Sequence, residues 1–230
     1  MKNDYLNLVE FWNNAFLMNE EEEKQLAQIN PNDYPQLAPS RKQFDVLKSF
    51  KGKENVLDYG CGSGWASIIM AKSGAKKITS VDVANNFLTM LDAYKKAFKV
   101  EGSIITIAID EKWLSNQKEA TYDGFFCSNV IDVVPLEMAK NIIKESARVT
   151  TKDALVVFSL NYYIDPSIMK EKGYEIDGNS IYINGVLRLL SLTDEEWATI
   201  FKLYFQDVSL IYFAWPGESK ETRRLFILKK

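Results

Sequence analysis

Between Val56 and Trp65 the chain reads Val-Leu-Asp-Tyr-Gly-Cys-Gly-Ser-Gly-Trp: a buried-strand pattern that runs into glycines at alternate positions and then into a helix-forming stretch. This junction restricts the fold sharply. Glycines permit positive φ and let a ligand lie against bare backbone. The helix that follows presents unpaired N–H donors and a positive dipole end. In an open, helix-covered parallel sheet, such a ligand lies beyond the strand ends, where the strand order reverses.

The rest of the chain keeps the same rhythm up to residue 160. Strands are expected over Asn55–Tyr59, Lys77–Val83, Ser103–Ile109, Gly124–Ser128 and Ala154–Leu160, and helices over Trp65–Ser73, Asn86–Phe98 and Leu136–Val149. The strands are continuous Val, Ile, Leu and Phe runs, as strands buried on both faces should be. Alternation of this kind implies right-handed βαβ units. Beyond 160 the rhythm changes. Tyr174–Leu190 reads as a small antiparallel meander with turns at Asp177-Gly178-Asn179 and Asn184-Gly185. Thr193 and Glu196 can cap a helix through Tyr204. Val208–Ala214 and Arg223–Leu228 suit an antiparallel pair joined through Trp215–Ser219. At the other end, Tyr5, Leu8, Val9, Trp12 and Phe16 recur at helical spacing, and the Glu20–Glu23 run is a solvated helix start or turn. The expected organisation is a helical cover or lid (1–45), a cofactor-binding core (46–160), a substrate cap (161–192) and a closing helix and strand pair (193–230).

Composition narrows the function. With 230 residues, 47% apolar and 26% charged, the chain can fold around a real core. Its longest run free of Asp, Glu, Lys and Arg, Tyr59–Ala71, is 13 residues, too short to span a membrane. Asp4 and Glu10 in the first helical stretch argue against a secretory signal. Only Cys61 and Cys127 are present, which points to a reducing, cytoplasmic setting rather than a disulfide framework. A net charge of −3 weighs against a nucleic-acid partner. The absence of His excludes a Ser-His-Asp triad and any His-ligated metal, and no metal site is expected.

A nicotinamide site needs G-x-G-x-x-G, with its third glycine at position 65, where this chain has Trp. The spacing G-x-G-x-G, with Asp58 two residues ahead, instead resembles motif I of class I S-adenosylmethionine-dependent methyltransferases. The likeness extends to Ile78–Val83, a second strand ending in an acid, to Ile107–Glu111, and to Tyr122–Pro135, a fourth strand with its loop. It implies a doubly wound, seven-stranded, mostly parallel α/β sheet with the last strand antiparallel, S-adenosyl-L-methionine as cofactor, and methyl transfer to oxygen or nitrogen of a small-molecule acceptor. It assigns the cofactor to Asp58, Gly60, Cys61, Gly62, Gly64, Asp82 (ribose hydroxyls), Val83, Asp110 (adenine amino group), Glu111, Ser128 and Asn129. Many small-molecule members carry His in the loop after strand four. The matching residue here is Val133, so that inference is void.

Each of these residues has a plainer alternative. Asp58 can cap the glycine turn, Asp82 and Asp110 can be turn acids, and Cys61 can be a small filler. Trp65 can pack on the core or flank the ligand. Arg41 can pair the cofactor carboxylate or lie on the surface. Apolar positions of the meander (Ile181, Ile183, Val186, Leu190) suit a substrate wall, a dimer contact or plain packing, and the chain is expected to be a monomer or a homodimer. Without His, a base must be a carboxylate, a tyrosine or a lysine. Asp132 and Tyr162 are the candidate catalytic residues by position, with Asp165 next, although an acceptor already ionised needs only alignment. The competing functions are a nucleic-acid methyltransferase and a silent cofactor-binding partner or sensor.

Overall fold

In the computed structural model of the chain, every residue but 1, 16, 17, 20, 22, 23, 25 and 27 is described, the side chains of 2–4 excepted. Phe16 of the aromatic stripe and Glu20, Glu22 and Glu23 of the acidic run therefore lie outside the described residues. The chain begins with α1 (Lys2–Asn14), a 3-10 turn (Tyr34–Leu37) and α2 (Arg41–Lys48). The core follows as β1 (Val56–Tyr59), α3 (Trp65–Ser73), β2 (Ile78–Asp82), α4 (Asn85–Phe98), β3 (Ile104–Ala108), β4 (Tyr122–Ser128), α5 (Leu136–Val149) and β5 (Thr150–Leu160). Next come α6 (Pro166–Glu171), β6 (Glu175–Asp177), β7 (Ser180–Ile183), β8 (Val186–Leu190), α7 (Asp194–Phe201), β9 (Asp207–Phe213) and β10 (Arg223–Lys229).

Seven strands form one sheet in the order β3-β2-β1-β4-β5-β10-β9. β1 is parallel to both β2 and β4, so the order reverses beside the glycine loop. β10, last in sequence, is antiparallel to β5 and to β9. Side chains alternate between two apolar layers, as strand geometry requires. Leu57 and Phe125 face α5 and α7, whose Ile143, Trp197 and Phe201 join them. Val56 and Phe126 face α2, α3 and α4, with Phe44, Ile68 and Leu91. β6, β7 and β8 make the separate antiparallel meander. Its Asn184-Gly185 turn holds both residues at positive φ, which this pair tolerates better than most.

Two local features depart from the sequence reading. β5 begins at Thr150, because Tyr122 pairs with Thr150 across a bulge and lengthens both strands. α6 was not expected: Asp165 caps it through the Ser167 N–H and Pro166 opens it, but six residues are too few to show periodicity. The closing helix carries the expected capping box, Thr193 with Glu196. α1 is fastened to α4, with the Asn86 amide donating to the Trp12 carbonyl at 3.0 Å and the Trp12 and Phe87 rings 6.0 Å apart.

Candidate active site

β1 delivers the chain into Gly60, Gly62 and Gly64, all at positive φ, before α3 starts. The three glycines serve different ends. A Cβ on Gly60 would meet Val130 Cγ2 at 2.2 Å, and one on Gly64 would meet Leu91 Cδ1 at 2.1 Å. Position 62 has nothing within 4 Å, so its bare backbone faces open space. Asp82, at the tip of β2, accepts from the Gly62 N–H at 2.9 Å with one oxygen and from the Ala84 N–H at 2.9 Å with the other. Each oxygen keeps a lone pair. Burial raises the Asp82 pKa, and the backbone donors work against that.

Asp58 lies beneath the loop. Ser67 Oγ donates to it at 2.5 Å and sits 2.7 Å from Ser80 Oγ, which ties β1, α3 and β2 together. Burial pushes its pKa up to about 7, and the Asp82 charge adds to the rise.

Two cavities border this loop, and a third adjoins them at Trp12 and Asn129. The first, about 220 Å³, lies between Gly60, Gly62, Asp82, Ile109 and Leu114 and is roofed by α1. The second, about 450 Å³, runs past Gly62 to Gln43, Trp65 and Trp215. The third, about 370 Å³, opens between the sheet edge and the meander, with Tyr162, Ile181 and Arg188 in its wall. Trp12 and Asn129 border all three. Asn129 holds this position with a φ of +56°; its N–H donates to the Ser159 carbonyl and its side-chain amide to Asn161 Oδ1 at 3.0 Å.

Most of the residues named from sequence converge here. Asp58, Gly60, Cys61, Gly62, Asp82, Val83, Glu111, Ser128 and Asn129 border the first or second cavity. Gly64 instead starts α3. Asp110 turns away: its carboxylate accepts from the Lys112 N–H, while its neighbours Ile109 and Glu111 face the cavity. Trp65 does both things suggested for it, packing edge-on against Phe126 at 5.9 Å and bordering the second cavity. Arg41 pairs with Asp45 at 3.1 Å on the surface. Tyr162 lines the third cavity. Asp132 lies outside all three and is fully buried, accepting from Asn161 N and Nδ2 at 2.7 and 2.9 Å. Burial raises its pKa, and the Asn161 hydrogen bonds and the Arg224 charge oppose the rise. It does not cap α5, whose N-cap is Pro135. Asp165 is taken up with capping α6, and its bonds from Ser167 lower its pKa.

Sequence reasoning missed Asn161, Arg188, Trp215 and Gln43, and read Phe87 only as core. Asn161 joins the region together, since it also accepts from Arg223 Nη1 at 2.6 Å. A polar residue directly after the β5 run was its one available signal. Among the described residues no group of His, Cys, Asp and Glu is placed to hold a metal, and no helix is long and apolar enough to cross a membrane.

Residues 56–153 match a family described as a methyltransferase domain. The chain is 28% identical over 158 residues to a ribosomal protein L11 methyltransferase of Ruminiclostridium cellulolyticum, covering 67% of this chain and 45% of that protein. It is 32% identical over 108 residues to a ubiquinone biosynthesis O-methyltransferase of Idiomarina loihiensis, covering 46% of this chain and 42% of that one. Each match thus spans less than half of the relative. Among solved structures, an S-adenosylmethionine dependent methyltransferase from Mesorhizobium loti superposes with a TM-score of 0.59 at 16% identity, over 81% of this chain and 96% of that one.

Proposed function

We propose that the chain, whose residues 56–153 match the methyltransferase-domain family, binds S-adenosyl-L-methionine along its glycine loop and methylates an oxygen or nitrogen of a small-molecule acceptor. One observation carries this reading: an open, bare Gly62 and a buried acid, Asp82, face one cavity that adjoins a second and a third at Trp12 and Asn129.

The residues present fit the cofactor. Asp82 offers its remaining lone pairs to a pair of ribose hydroxyls. Ile109 and Leu114 supply apolar walls for a flat base, and Glu111 stands beside them. Gly62 lets the ligand approach the backbone. The second cavity, edged by Gln43 and Trp65, takes the amino-acid end. When bound, the cofactor supplies an electrophilic methyl on a positively charged sulfur. Trp12 and Asn129 stand where the three cavities meet, so they position the acceptor atom and keep water out. Alignment at ~3–3.5 Å is worth up to ~7–11 kcal/mol. Asp132 is turned into the protein and holds Asn161 in place. Tyr162 is the better placed of the two candidates to touch an acceptor. The segment 161–192, with α1, forms the acceptor cap.

A third cavity of about 370 Å³ suits a small molecule, as does the likeness to the ubiquinone biosynthesis relative. The likeness to an L11 methyltransferase favours a protein acceptor as the second reading. Titration calorimetry with S-adenosylhomocysteine tests the cofactor site. Wild type should bind, and Asp82→Ala should bind ~1–3 kcal/mol more weakly through loss of buried hydroxyl partners. No binding by wild type overturns the proposal, and unchanged affinity in the variant overturns the ribose role. Labelled-methyl transfer to a metabolite panel and to ribosomal protein L11 separates the two acceptor classes.

A further inference from the structure

We infer that the third cavity recognises an acceptor bearing a carboxylate, and that Arg188 is the residue that binds it. This rests on the methyl-transfer reading of the adjoining cavities.

The chain has five arginines. Four have a carboxylate partner: Arg41 with Asp45, Arg148 with Glu145, Arg223 with Glu218 and Arg224 with Asp194. Arg188 has neither a carboxylate nor a carbonyl partner among the described residues. Its guanidinium carbon lies 4.2 Å from the centroid of Phe11 and 5.7 Å from that of Trp12. Rings steady a guanidinium but cannot take its N–H donors as a carboxylate does. The third cavity has no Asp or Glu in its wall, and its other cation, Arg223, is already neutralised by Glu218 through Nε and Nη2 at 2.8–2.9 Å. Arg188, half-buried, thus carries a charge with no carboxylate partner among the described residues, in a chamber that combines apolar walls (Ile164, Met169, Ile181, Leu189) with the polar groups of Asn129, Asn161 and Tyr162.

A half-buried guanidinium with free N–H donors gains from a charge-assisted partner. A carboxylate pairs it bidentately with one negative charge. A phosphate monoester would carry a surplus charge into apolar walls. A protonated amine would be repelled by Arg188 and by the cationic methyl donor alike. The acceptor is therefore an apolar or aromatic body with a carboxylate at the Arg188 end and its methyl-accepting atom toward Asn129.

The probes are 4-hydroxybenzoate, cyclohexanecarboxylate and octanoate, each paired with its primary amide, and phenyl phosphate. Binding is read by quenching of tryptophan fluorescence, with and without S-adenosylhomocysteine, because Trp12 and Trp215 line the cavity. At least one carboxylate should bind wild type ~10-fold more tightly than its amide, as expected for a charge-assisted pair. Arg188→Gln should erase that preference and Arg188→Lys should retain part of it. Equal binding of every carboxylate and its amide, no binding by any probe, survival of the preference in Arg188→Gln, or tighter binding of phenyl phosphate than of all the carboxylates would each overturn the inference. If Arg188→Gln does not fold, the carboxylate–amide comparison in wild type and in Arg188→Lys still decides. Calorimetry on the same wild-type protein reads the cofactor separately. Failure to bind S-adenosylhomocysteine refutes the methyltransferase reading, whereas binding it without any carboxylate preference refutes only the role of Arg188.

Discussion

Placing alanine at Gly62 and at Gly64 separates cofactor binding from folding within a single loop. Both positions lie at positive φ, +51° and +80°, so a Cβ costs ~1–2 kcal/mol in either case. The surroundings then diverge. At 64 the new methyl would sit 2.1 Å from Leu91 Cδ1, and Leu91 is fully buried. Overpacking there adds ~1–3 kcal/mol. At 62 it would meet nothing within 4 Å and occupy the space assigned to the ligand. In a chain of 230 residues, 1 kcal/mol moves Tm by ~2–4 °C. Gly62→Ala should thus lower Tm by ~2–8 °C, and Gly64→Ala by ~4–20 °C. Affinity for S-adenosylhomocysteine should follow the opposite order: Gly62→Ala weakens it by ~10-fold or more, because a methyl in a filled site must displace the ligand. Scanning calorimetry reads the first quantity and titration calorimetry the second. Affinity within twofold of wild type in Gly62→Ala would show that the ligand does not lie against that backbone. Equal Tm losses in the two variants would show that Leu91 yields freely and that packing does not dictate Gly64.

Two further substitutions test the buried acids. Asp58 has a native pKa of about 7 against an ordinary 3.8, so the folded protein holds a proton that the unfolded chain has released. Stability therefore falls as pH rises from about 4 to 7, by up to ~4 kcal/mol from this group. Burial shifts Asp82 and Asp132 the same way, so the difference between variant and wild type reports Asp58 together with its coupling to Asp82. Asp58→Asn keeps an acceptor for Ser67 and should flatten the slope; urea unfolding at pH 4.5 and 7.5 checks this, and an unchanged slope refutes it. Asp132→Asn replaces one carboxylate oxygen with a donor group beside Asn161 and should cost ~1–3 kcal/mol of stability. Its methyl-transfer rate should drop by less than ~10²-fold, since the residue lies outside the cavities. A loss of ~10³-fold or more in kcat with cofactor affinity intact would make Asp132 the base.

Local periodicity made the frame readable. The strand runs, the glycine spacing and the Thr193–Glu196 cap each report on one short segment, and each of these elements formed, although β5 starts earlier than its apolar run and the capped helix ends at Phe201 rather than Tyr204. The tips of β1 and β2 were legible for the same reason, because an acid or glycine just past an apolar run lies at the sheet edge. The step past β3 was harder. Asp110 and Glu111 are adjacent, and which of them faces the cavity depends on how the turn closes, here through the Asp110–Lys112 bond. Asp132 likewise sits in a loop that points toward the site, yet its carboxylate turns inward because Asn161, after β5, supplies two donors. The covering of the site was settled by contacts between distant segments. An amphipathic stripe shows which side of α1 is apolar but not what it covers, and only packing sets Trp12 at the junction of three cavities. Arg188 reads as an ordinary charge in a small meander. The fold brings Phe11 over it and leaves it as the one arginine without a carboxylate partner among the described residues. That distinction depends on which side chains fill the space around it, and no stretch of the chain encodes it locally.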